Sequence, residues 1–396
     1  MATENNNKTL NVPNKREQSQ TCLGYADRAE QSPQGNVPNL RFPEFNGEWA
    51  KFRNDSLFNV ISEKNKGKLI TSVLSASQTD GMVSRDSLGI DIKFEEDSIK
   101  NYKIVREGDY VIHLRSFQGG FAFSDRVGVC SPAYTILRPT KQVSYGFLKP
   151  FFMSNKFINS LRLVTYGIRD GKSISVEEWL KLNTHLPSLK EQQKISSFLA
   201  LLDERIATQI KIIEKLESLI KGLCQKLTQQ GNSNTALNET LVCYSSTLQE
   251  SSVQEAGDYP VYGATGVCGY TDTPEVDGDS ILIIKDGASV GVTYYASGKY
   301  SAIGTLNRLV AKRGYSLRYL YYCLKVFNFA PYRTGLAIPH IYFRDYGKAK
   351  VWCPSLDEQQ RIADALSKVE LKIALEKSLL EQLYSQKRFL LQAMFI

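Results

Sequence analysis

Nearly the same helix start occurs twice in the chain. PSLKEQQKI begins at Pro187 and PSLDEQQRI begins at Pro354, so the copies lie 354 − 187 = 167 residues apart. Aligned from the two prolines, they share 15 identities over 43 positions. A repeat at this distance indicates two copies of one larger unit. The chain must therefore fold around two similar long helices.

Each copy carries the features of a helix that pairs with another helix. Ser188 stands three residues before Glu191, and Ser355 three before Glu358, which is the spacing of a capping box. Farther along, apolar residues alternate four and three apart, as in the seam of a coiled coil. The first seam comprises Leu199, Leu202, Ile206, Ile213, Leu216, Ile220, Leu223 and Leu227. The second comprises Leu366, Val369, Ile373, Leu380, Leu383, Lys387, Leu390 and Met394.

The two seams share one interruption. Gln209 breaks the first seam and Glu376 breaks the second at the equivalent place. We expect the helices to bury these narrow seams against each other as an antiparallel intramolecular coiled coil. The alternative, that each helix packs separately on its own domain, is weaker because neither seam is wide enough for a broad core face.

The remaining sequence divides into polar and strand-rich parts. Short apolar runs separated by Gly, Asp and Pro, such as YKIV, DYVIHL and DSILII, predict strands. The segment GKSISVEEWLKLNTHLPS aligns with IPHIYFRDYGKAKVWCPS, so the repeat begins upstream of each helix, although the strand-rich parts otherwise differ. The predicted divisions are a polar, flexible extension over 1–39, a domain over 40–186, a helix over 187–230, a domain over 231–352 and a helix over 353–396. The predicted fold class is α+β with pseudo-twofold repetition.

The charge, the cysteines and the lack of long apolar runs limit the classes of function that the chain can have. The net charge is +8, and residues 41–186 hold 21 basic against 16 acidic side chains, which fits a polyanion partner without requiring one. The seven cysteines form no C-x-x-C pair and do not cluster with the three histidines, so neither a zinc site nor a disulfide framework is indicated. No apolar run approaches a membrane span, and the amino terminus lacks a signal-peptide core. We expect a reduced, cytoplasmic protein.

Several separated motifs together resemble the specificity subunit of type I restriction–modification systems. They are the paired PSLxEQQ(K/R)I helix starts, LRFPEFNGEW, YPVYGATGVCGY and IIKDGASVG, and the resemblance covers residues 40–396. It implies two target-recognition domains, each reading one half of a split sequence in double-stranded DNA. It also implies that the helices act as a spacer and dock two modification (methyltransferase) subunits, with restriction subunits joining the complex. The chain itself would be non-catalytic and hold no cofactor, while the partners would use S-adenosylmethionine, ATP and Mg.

The resemblance also directs attention to particular side chains. The candidates for DNA contact are loop residues with base-reading or cationic side chains: Gln78, Arg85, Arg115, Gln118, Arg169, Lys172, Lys285, Arg308, Arg333 and His340. Any one of them taken alone is more simply a solvated surface residue. The candidates for partner docking are the repeated EQQ residues: Glu191, Gln192, Gln193, Glu358, Gln359 and Gln360. A helix's first turn can also hold Glu and Gln for capping alone.

Two other functions stay open on the sequence. An enzyme acting on nucleic acid would need a catalytic motif, and SPAY at Ser131 only approaches the amino-methyltransferase pattern, with Ala133 in place of the second proline. We expect GVCSPAYTIL, which contains it, to be a half-buried strand. Neither a dinucleotide fingerprint nor a G-x-x-x-x-G-K-(S/T) loop is present. The second alternative is a non-catalytic coiled-coil scaffold that joins two protein partners.

Helix length predicts the spacing of the target. A helix of about 43 residues is a rod of about 65 Å, which exceeds the ~34–36 Å of one DNA turn. Two domains on such rods would read two short blocks around an unread gap. Inserting four residues into either helix should therefore lengthen the gap, as mapped by methylation sequencing. An unchanged target site would contradict this prediction.

Overall fold

The protein is described from a computed structural model over residues 35–67, 69–77, 80–85, 96–113, 120–166, 173–335 and 337–396. Residue contacts divide the chain into two units. The first unit runs to Asp203 and takes in Tyr384–Ile396, and the second unit is Glu204–Leu383. Residues 1–34, most of the predicted polar extension, lie outside the described residues.

The first unit contains twelve strands among its described residues. They are β1 Ala50–Arg53, β2 Phe58–Ile61, β3 Leu74–Ser77, β4 Gly81–Ser84, β5 Lys103–Val105, β6 Tyr110–Ile112, β7 Ala122–Phe123, β8 Gly128–Cys130, β9 Thr135–Pro139, β10 Thr165–Tyr166, β11 Ser173–Ile174 and β12 Asn183–Leu186. The short α-helices are α1 Asn54–Leu57, α2 Lys149–Phe152, α3 Asn155–Ser160 and α4 Val176–Lys181, with 3₁₀ turns at Glu96–Asn101 and Leu161–Val164. The runs YKIV and DYVIHL thus form β5 and β6, as the sequence predicts.

The long helix α5, Leu189–Thr228, links the units, and the second unit then adds ten strands. They are β13 Thr235–Ala236, β14 Leu241–Ser245, β15 Tyr259–Gly263, β16 Gly266–Thr271, β17 Val276–Asp277, β18 Ser280–Ile284, β19 Thr293–Ala296, β20 Lys299–Ala302, β21 Leu306–Ala311 and β22 Lys350–Val351. Its helices are α6 Leu237–Thr240, α7 Leu317–Lys325, α8 Phe343–Tyr346 and the long α9 Leu356–Met394, with 3₁₀ turns at Glu250–Ser252 and Ala330–Tyr332. Both predicted long helices are confirmed.

The two units contain the same central sheet, which their sequences do not reveal. The order is β2-β9-β6-β7 in the first unit and β14-β21-β18-β19 in the second, so the first strand pairs with the last in both. A small ladder joins the start of each unit to its end, β1 with β12 and β13 with β22. A four-residue helix follows β1 and β13 alike. The repeat therefore includes the strand-rich parts and not only the helices.

The long helices pack along the predicted seam. Ile206, Ile213 and Ile220 on α5 are buried, as are Leu366 and Ile373 on α9. Within the second unit, the carboxyl-terminal part of α5 shares one core with the amino-terminal part of α9. The helices therefore run antiparallel there, as the sequence predicts.

The two polar interruptions of the seam meet each other. The Gln209 Nε2 atom donates to the main-chain oxygen of Glu376 at 3.1 Å and also to its carboxylate. Lys372, one turn away on α9, contacts the same carboxylate at 2.5 Å. Hydrogen bonds from Lys372 and then Gln209 lower the pKa of Glu376, which keeps the group charged. A polar pair in an apolar seam favours one register, because a shifted helix would leave the Gln209 amide without its partner.

The LRFPEFNGEW segment ties the first part of the described chain to the long helices of the first unit. The Leu40 N–H donates to the Ala393 oxygen at 2.8 Å, and the ring of Trp49 lies 6.3 Å from that of Phe395. Upstream, the Asn36 carbonyl accepts the Trp49 N–H at 2.8 Å, so the end of the predicted 1–39 extension bonds to this segment. The motif thus has a structural use.

A glutamine of each repeat joins a long helix to the strand-rich part of its own unit. The Oε1 atom of Gln192 accepts the Ser144 N–H at 2.8 Å, while its Nε2 donates to the Pro187 oxygen at 3.0 Å. Gln359 repeats this arrangement with the Ser316 N–H at 2.9 Å and the carbonyl of its own preceding proline at 2.9 Å. The same amide bridge therefore exists twice, which explains why this glutamine is repeated.

Each predicted capping box forms only in part. The Ser188 hydroxyl accepts the Glu191 N–H at 3.3 Å, as a cap should. The Glu191 carboxylate instead accepts two bonds from the Arg41 guanidinium, at 2.7 and 2.6 Å. In the second repeat, Glu358 pairs with Arg361 on the next turn.

These contacts correct half of the predicted docking surface. Glu191, Gln192 and Gln359 are each only 1% exposed. Their side chains are committed to internal bonds, so they are not available to a partner. The prediction was wrong for them because a repeated polar pair looks the same in sequence whether it faces a partner or a neighbouring strand.

The amide bridge predicts that substitutions at Gln359 and at its neighbour Gln360 will change stability by different amounts. Replacing Gln359 by Leu leaves the Ser316 N–H and the Pro354 carbonyl buried without partners, which should lower the free energy of unfolding by about 1–3 kcal/mol. Gln360→Leu, at an exposed neighbouring position, should change it by less than about 0.5 kcal/mol. Urea unfolding of the full chain measures both, and equal effects of the two variants would contradict the bridge.

Candidate nucleic-acid interface

Half of the DNA-contact candidates cannot be placed. Gln78, Arg115, Gln118, Arg169 and Lys172 lie outside the described residues. By chain order, Arg115 and Gln118 fall between β6 and β7, while Arg169 and Lys172 fall between β10 and β11. In the first unit only Arg85 is described. It is half-buried after β4, and its Nε lies 3.4 Å from the Ser75 hydroxyl.

In the second unit, three of the four candidates for DNA contact lie on two neighbouring loops. The first loop, residues 285–292, leaves β18 and carries Lys285. The second, residues 333–340, carries Arg333 and His340. The Arg333 Nη2 donates to the Val290 oxygen at 3.2 Å, which connects the second loop to the first. We call residues 285–292 and 333–340 the paired loops.

Main-chain hydrogen bonds hold the paired loops together. The Gly287 N–H donates to the Pro339 oxygen and the Ile341 N–H to the Lys285 oxygen, both at 2.9 Å. His340 also exchanges main-chain bonds with Thr334, at 2.7 and 2.9 Å. The backbone here is therefore fixed by a short main-chain ladder, to which the Arg333 bond adds.

A glycine is required at the tip of the second loop. Gly335 has φ +90°, a conformation that L residues rarely adopt. A Cβ atom there would lie 2.3 Å from the Ile338 oxygen. This position therefore keeps the loop tightly folded beside His340, whose ring would be 3.1 Å from such an atom.

One carboxylate, which sequence reasoning missed, lies among the cations. The Asp286 Oδ1 atom is 2.7 Å from the His340 Nδ1, and its Oδ2 is 2.5 Å from the Lys285 Nζ. Burial acts to raise the pKa of Asp286, but the bonds from His340 and Lys285 lower it by more, so the group stays ionised. The sequence did contain a signal for it: Asp286 is the acidic residue of KDGAS and directly follows Lys285, a predicted contact residue.

The fourth candidate, Arg308, lies on the sheet and not on the paired loops. Its guanidinium lies over the ring of Tyr244, with 4.3 Å from the carbon to the ring centre. Arg308 pairs with Leu282 on β18. Leu282 is three residues before Lys285, so the Arg308 Cα lies about 10 Å along the sheet from the first of the paired loops. Arg308 is half-buried and stacks on Tyr244, so its side chain contributes to packing on the sheet.

Two segments of the first unit that lie mostly outside the described residues match the paired loops in chain order. Residues 113–121 connect β6 to β7 as residues 285–292 connect β18 to β19. Residues 167–172 precede β11, and adding the repeat distance of 167 places them at 334–339. Four of the undescribed candidates therefore belong to segments that correspond to the paired loops.

The long helices expose both predicted and unpredicted residues. Gln193 and Gln360 are exposed and Glu358 is half-exposed, so these predicted docking residues can be reached. Gln193 also lines a groove of about 950 Å³ in the first unit, together with Leu189, Leu199 and Leu391. In the second unit, Leu371 and Leu375 on α9 are 62% and 58% exposed. They lie outside the seam, and the heptad pattern gave no reason to select them.

The segments that resembled catalytic motifs have ordinary structural positions. The predicted strand GVCSPAYTIL is two strands, β8 and β9, and was wrong in its middle. There Ser131–Tyr134 forms a turn, with the Tyr134 N–H donating to the Ser131 oxygen at 3.1 Å. GATGVCG belongs to the hairpin of β15 and β16. Among the described residues there is no group of three His, Cys, Asp or Glu side chains that could hold a metal. In the same part of the chain no helix is long and apolar enough to cross a membrane.

Comparisons with known proteins cover most of the chain. The family described as "Type I restriction modification DNA specificity domain" matches residues 46–218 and 244–385. The EcoprrI specificity subunit of Escherichia coli is 26% identical over 117 residues, which are 30% of this chain and 29% of that protein. A putative type I specificity subunit of Haemophilus influenzae is 30% identical over 89 residues, 22% of this chain and 23% of that one. The aligned part thus spans less than a third of either relative.

Solved structures resemble the fold over a larger share. The S subunit of a type I restriction–modification system from M. genitalium superposes with a TM-score of 0.60 at 18% identity, covering 91% of this chain and 99% of that one. A second chain, from a study of complex assembly and conformational transition of the type I system, superposes with a TM-score of 0.54 at 17% identity. The superposition covers 87% of this chain and 96% of that one. At such identities the likeness concerns the fold alone.

Proposed function

The chain belongs to the type I restriction–modification DNA specificity family, and from this premise we propose that its two strand-rich parts each read one block of a split duplex target. The observation that carries the proposal is the repeated central sheet with different loops. A common scaffold with different loops is what two separate recognition events require, since loops carry the base-reading side chains. The cations of the paired loops support this use in the second unit.

The spacing between the blocks would follow from the long helices. The helix α5 has 40 residues and α9 has 39, each about 60 Å long at ~1.5 Å per residue. This length exceeds one turn of DNA, ~34–36 Å. The polar pair at Gln209 and Glu376 would keep the register, and hence the gap, constant. The unread gap is therefore a property of the helices, and the blocks are a property of the loops.

The chemistry would belong to partner subunits. We propose that two modification subunits dock on the chain, that restriction subunits join them, and that these partners use S-adenosylmethionine, ATP and Mg. The present chain would supply DNA specificity without catalysis.

The docking surface is proposed to include exposed apolar residues of α9. Leu371 and Leu375 lie one turn apart and face solvent in the isolated chain. Apolar side chains at i and i+4 form a stripe that a partner helix can cover. Gln360, which bonds Asp364 at 2.9 Å on the same helix, is a polar neighbour that can complete such a surface.

This surface can be tested by charge insertion. The double variant Leu371→Glu, Leu375→Glu should reduce co-purification of the modification subunit at least tenfold, because two carboxylates would be desolvated on docking. Leu163→Glu changes a residue that is 81% exposed in the strand-rich part of the first unit and serves as the matched control. Unchanged co-purification of the double variant would remove these leucines from the interface.

The specificity role itself is tested in the cell. We would co-express the chain with its neighbouring modification and restriction subunits and map methylated adenines by single-molecule sequencing. The expected result is two short fixed blocks around a fixed gap, lost when this chain is deleted. Methylation that persists after deletion, with the partners expressed, would overturn the role and favour a coiled-coil scaffold between protein partners.

A further inference from the structure

We propose that Asp286 is a positioning residue for base recognition by the second unit: its carboxylate orients Lys285 and His340 toward the edge of a base pair, where Lys285 would donate to a hydrogen-bond acceptor such as guanine O6 or N7. The inference rests on the proposed function. Asp286 itself would not contact the DNA. Its two oxygens would fix the two side chains that do, each of which comes from a different one of the paired loops.

The geometry leaves hydrogen-bonding positions open on both oriented groups: one ring nitrogen of His340 and two N–H groups of Lys285. With Nδ1 of His340 bound to the Asp286 Oδ1 at 2.7 Å, the opposite ring nitrogen, Nε2, points away from the carboxylate. The Lys285 ammonium has three N–H groups, and the contact of 2.5 Å to Oδ2 occupies one of them. Lys285, Asp286 and His340 are 25%, 27% and 35% exposed, so the group is reachable but partly shielded from water.

The carboxylate is not needed to hold the loops together. The main-chain ladder through Gly287, Pro339, Ile341 and Lys285 already joins them. A carboxylate beside DNA also repels phosphates, so its presence reduces non-specific attraction at this site. What it adds is a fixed direction for two side chains that would otherwise sample several rotamers.

Fixed direction matters for reading bases more than for binding phosphates. Lysine contacts phosphate as a point charge and needs little orientation. Reading guanine requires donors aimed at O6 and N7 in the major groove. The arrangement therefore points to a base edge as the ligand, and uniform weakening across all sequences is the result expected of a phosphate contact instead.

The test uses the full chain in cells with its modification and restriction subunits. Adenine methylation is mapped for the wild type, for Asp286→Asn, for Lys285→Met and for His340→Asn. Asp286→Asn keeps the shape of the side chain and removes its charge. Asp272→Asn makes the same charge change at an exposed position of the same unit and serves as the control.

We expect Asp286→Asn to relax one or two base positions within one block, lowering discrimination there about 5- to 100-fold, in line with the loss of one good base contact. Lys285→Met and His340→Asn should relax the same positions, which assigns that block to the second unit. The other block and the gap should stay unchanged, as should the whole motif of the Asp272→Asn control. A merely structural role would not produce relaxation confined to single positions.

Three outcomes would overturn the inference. The first is an Asp286→Asn motif identical to that of the wild type and methylated equally well. The second is uniform loss of methylation at every site, accompanied by a lower thermal unfolding midpoint, which would make Asp286 a structural residue. The third is a wild-type chain that specifies no split motif, in which case the proposed function fails and the positioning role fails with it.

Discussion

The amide bridge made by one glutamine in each repeat is the interaction on which the rest of the structure depends. Gln192 and Gln359 each bind a serine N–H that follows the last strand of the central sheet, and each also binds the carbonyl before its own helix. A buried amide with both of its ends paired has one favourable position, because any other leaves unsatisfied polar groups away from water. Each long helix therefore leaves its sheet in a defined direction.

The helix pair shows how a narrow apolar seam gains specificity. Leucine and isoleucine contacts tolerate sliding by a heptad, since one apolar layer resembles the next. The contact between Gln209 and Glu376 removes that freedom, because a slipped register would bury the Gln209 amide without its partner. That these residues are separated by the repeat distance and also touch is consistent with an antiparallel pair of equivalent helices. The apolar residues of the seam hold the helices together, and the contact between Gln209 and Glu376 fixes their register.

The paired loops combine a rigid backbone with charged side chains of mixed sign. The ladder between residues 285–287 and 339–341 fixes the main chain, and Asp286 balances part of the local positive charge. The pKa of Asp286 lies below its ordinary value, because its bonds to His340 and Lys285 outweigh the effect of burial. In the proposed interface this arrangement would limit non-specific attraction to phosphates while leaving Lys285 able to donate.

The amino-acid sequence by itself determined the two long helices, their capped starts, their seams and the polar interruption, because heptad spacing and capping are local patterns. It also located the strands β5, β6 and β18 and placed Lys285, Arg333 and His340 on loops. It did not reveal that the two strand-rich parts share one sheet order, since strand pairing is set by contacts between distant residues that many different sequences can make.

Only the tertiary structure decided the use of individual polar side chains. Glu191, Gln192 and Gln359 were expected on a docking surface and are instead buried in bonds to Arg41, Ser144 and Ser316. Arg308 was expected among the DNA contacts and lies over Tyr244. Asp286 became visible only through its two partners. The physical reason is the same in each case: a polar residue's role depends on which distant groups the fold brings within hydrogen-bond range, and local sequence does not specify those groups.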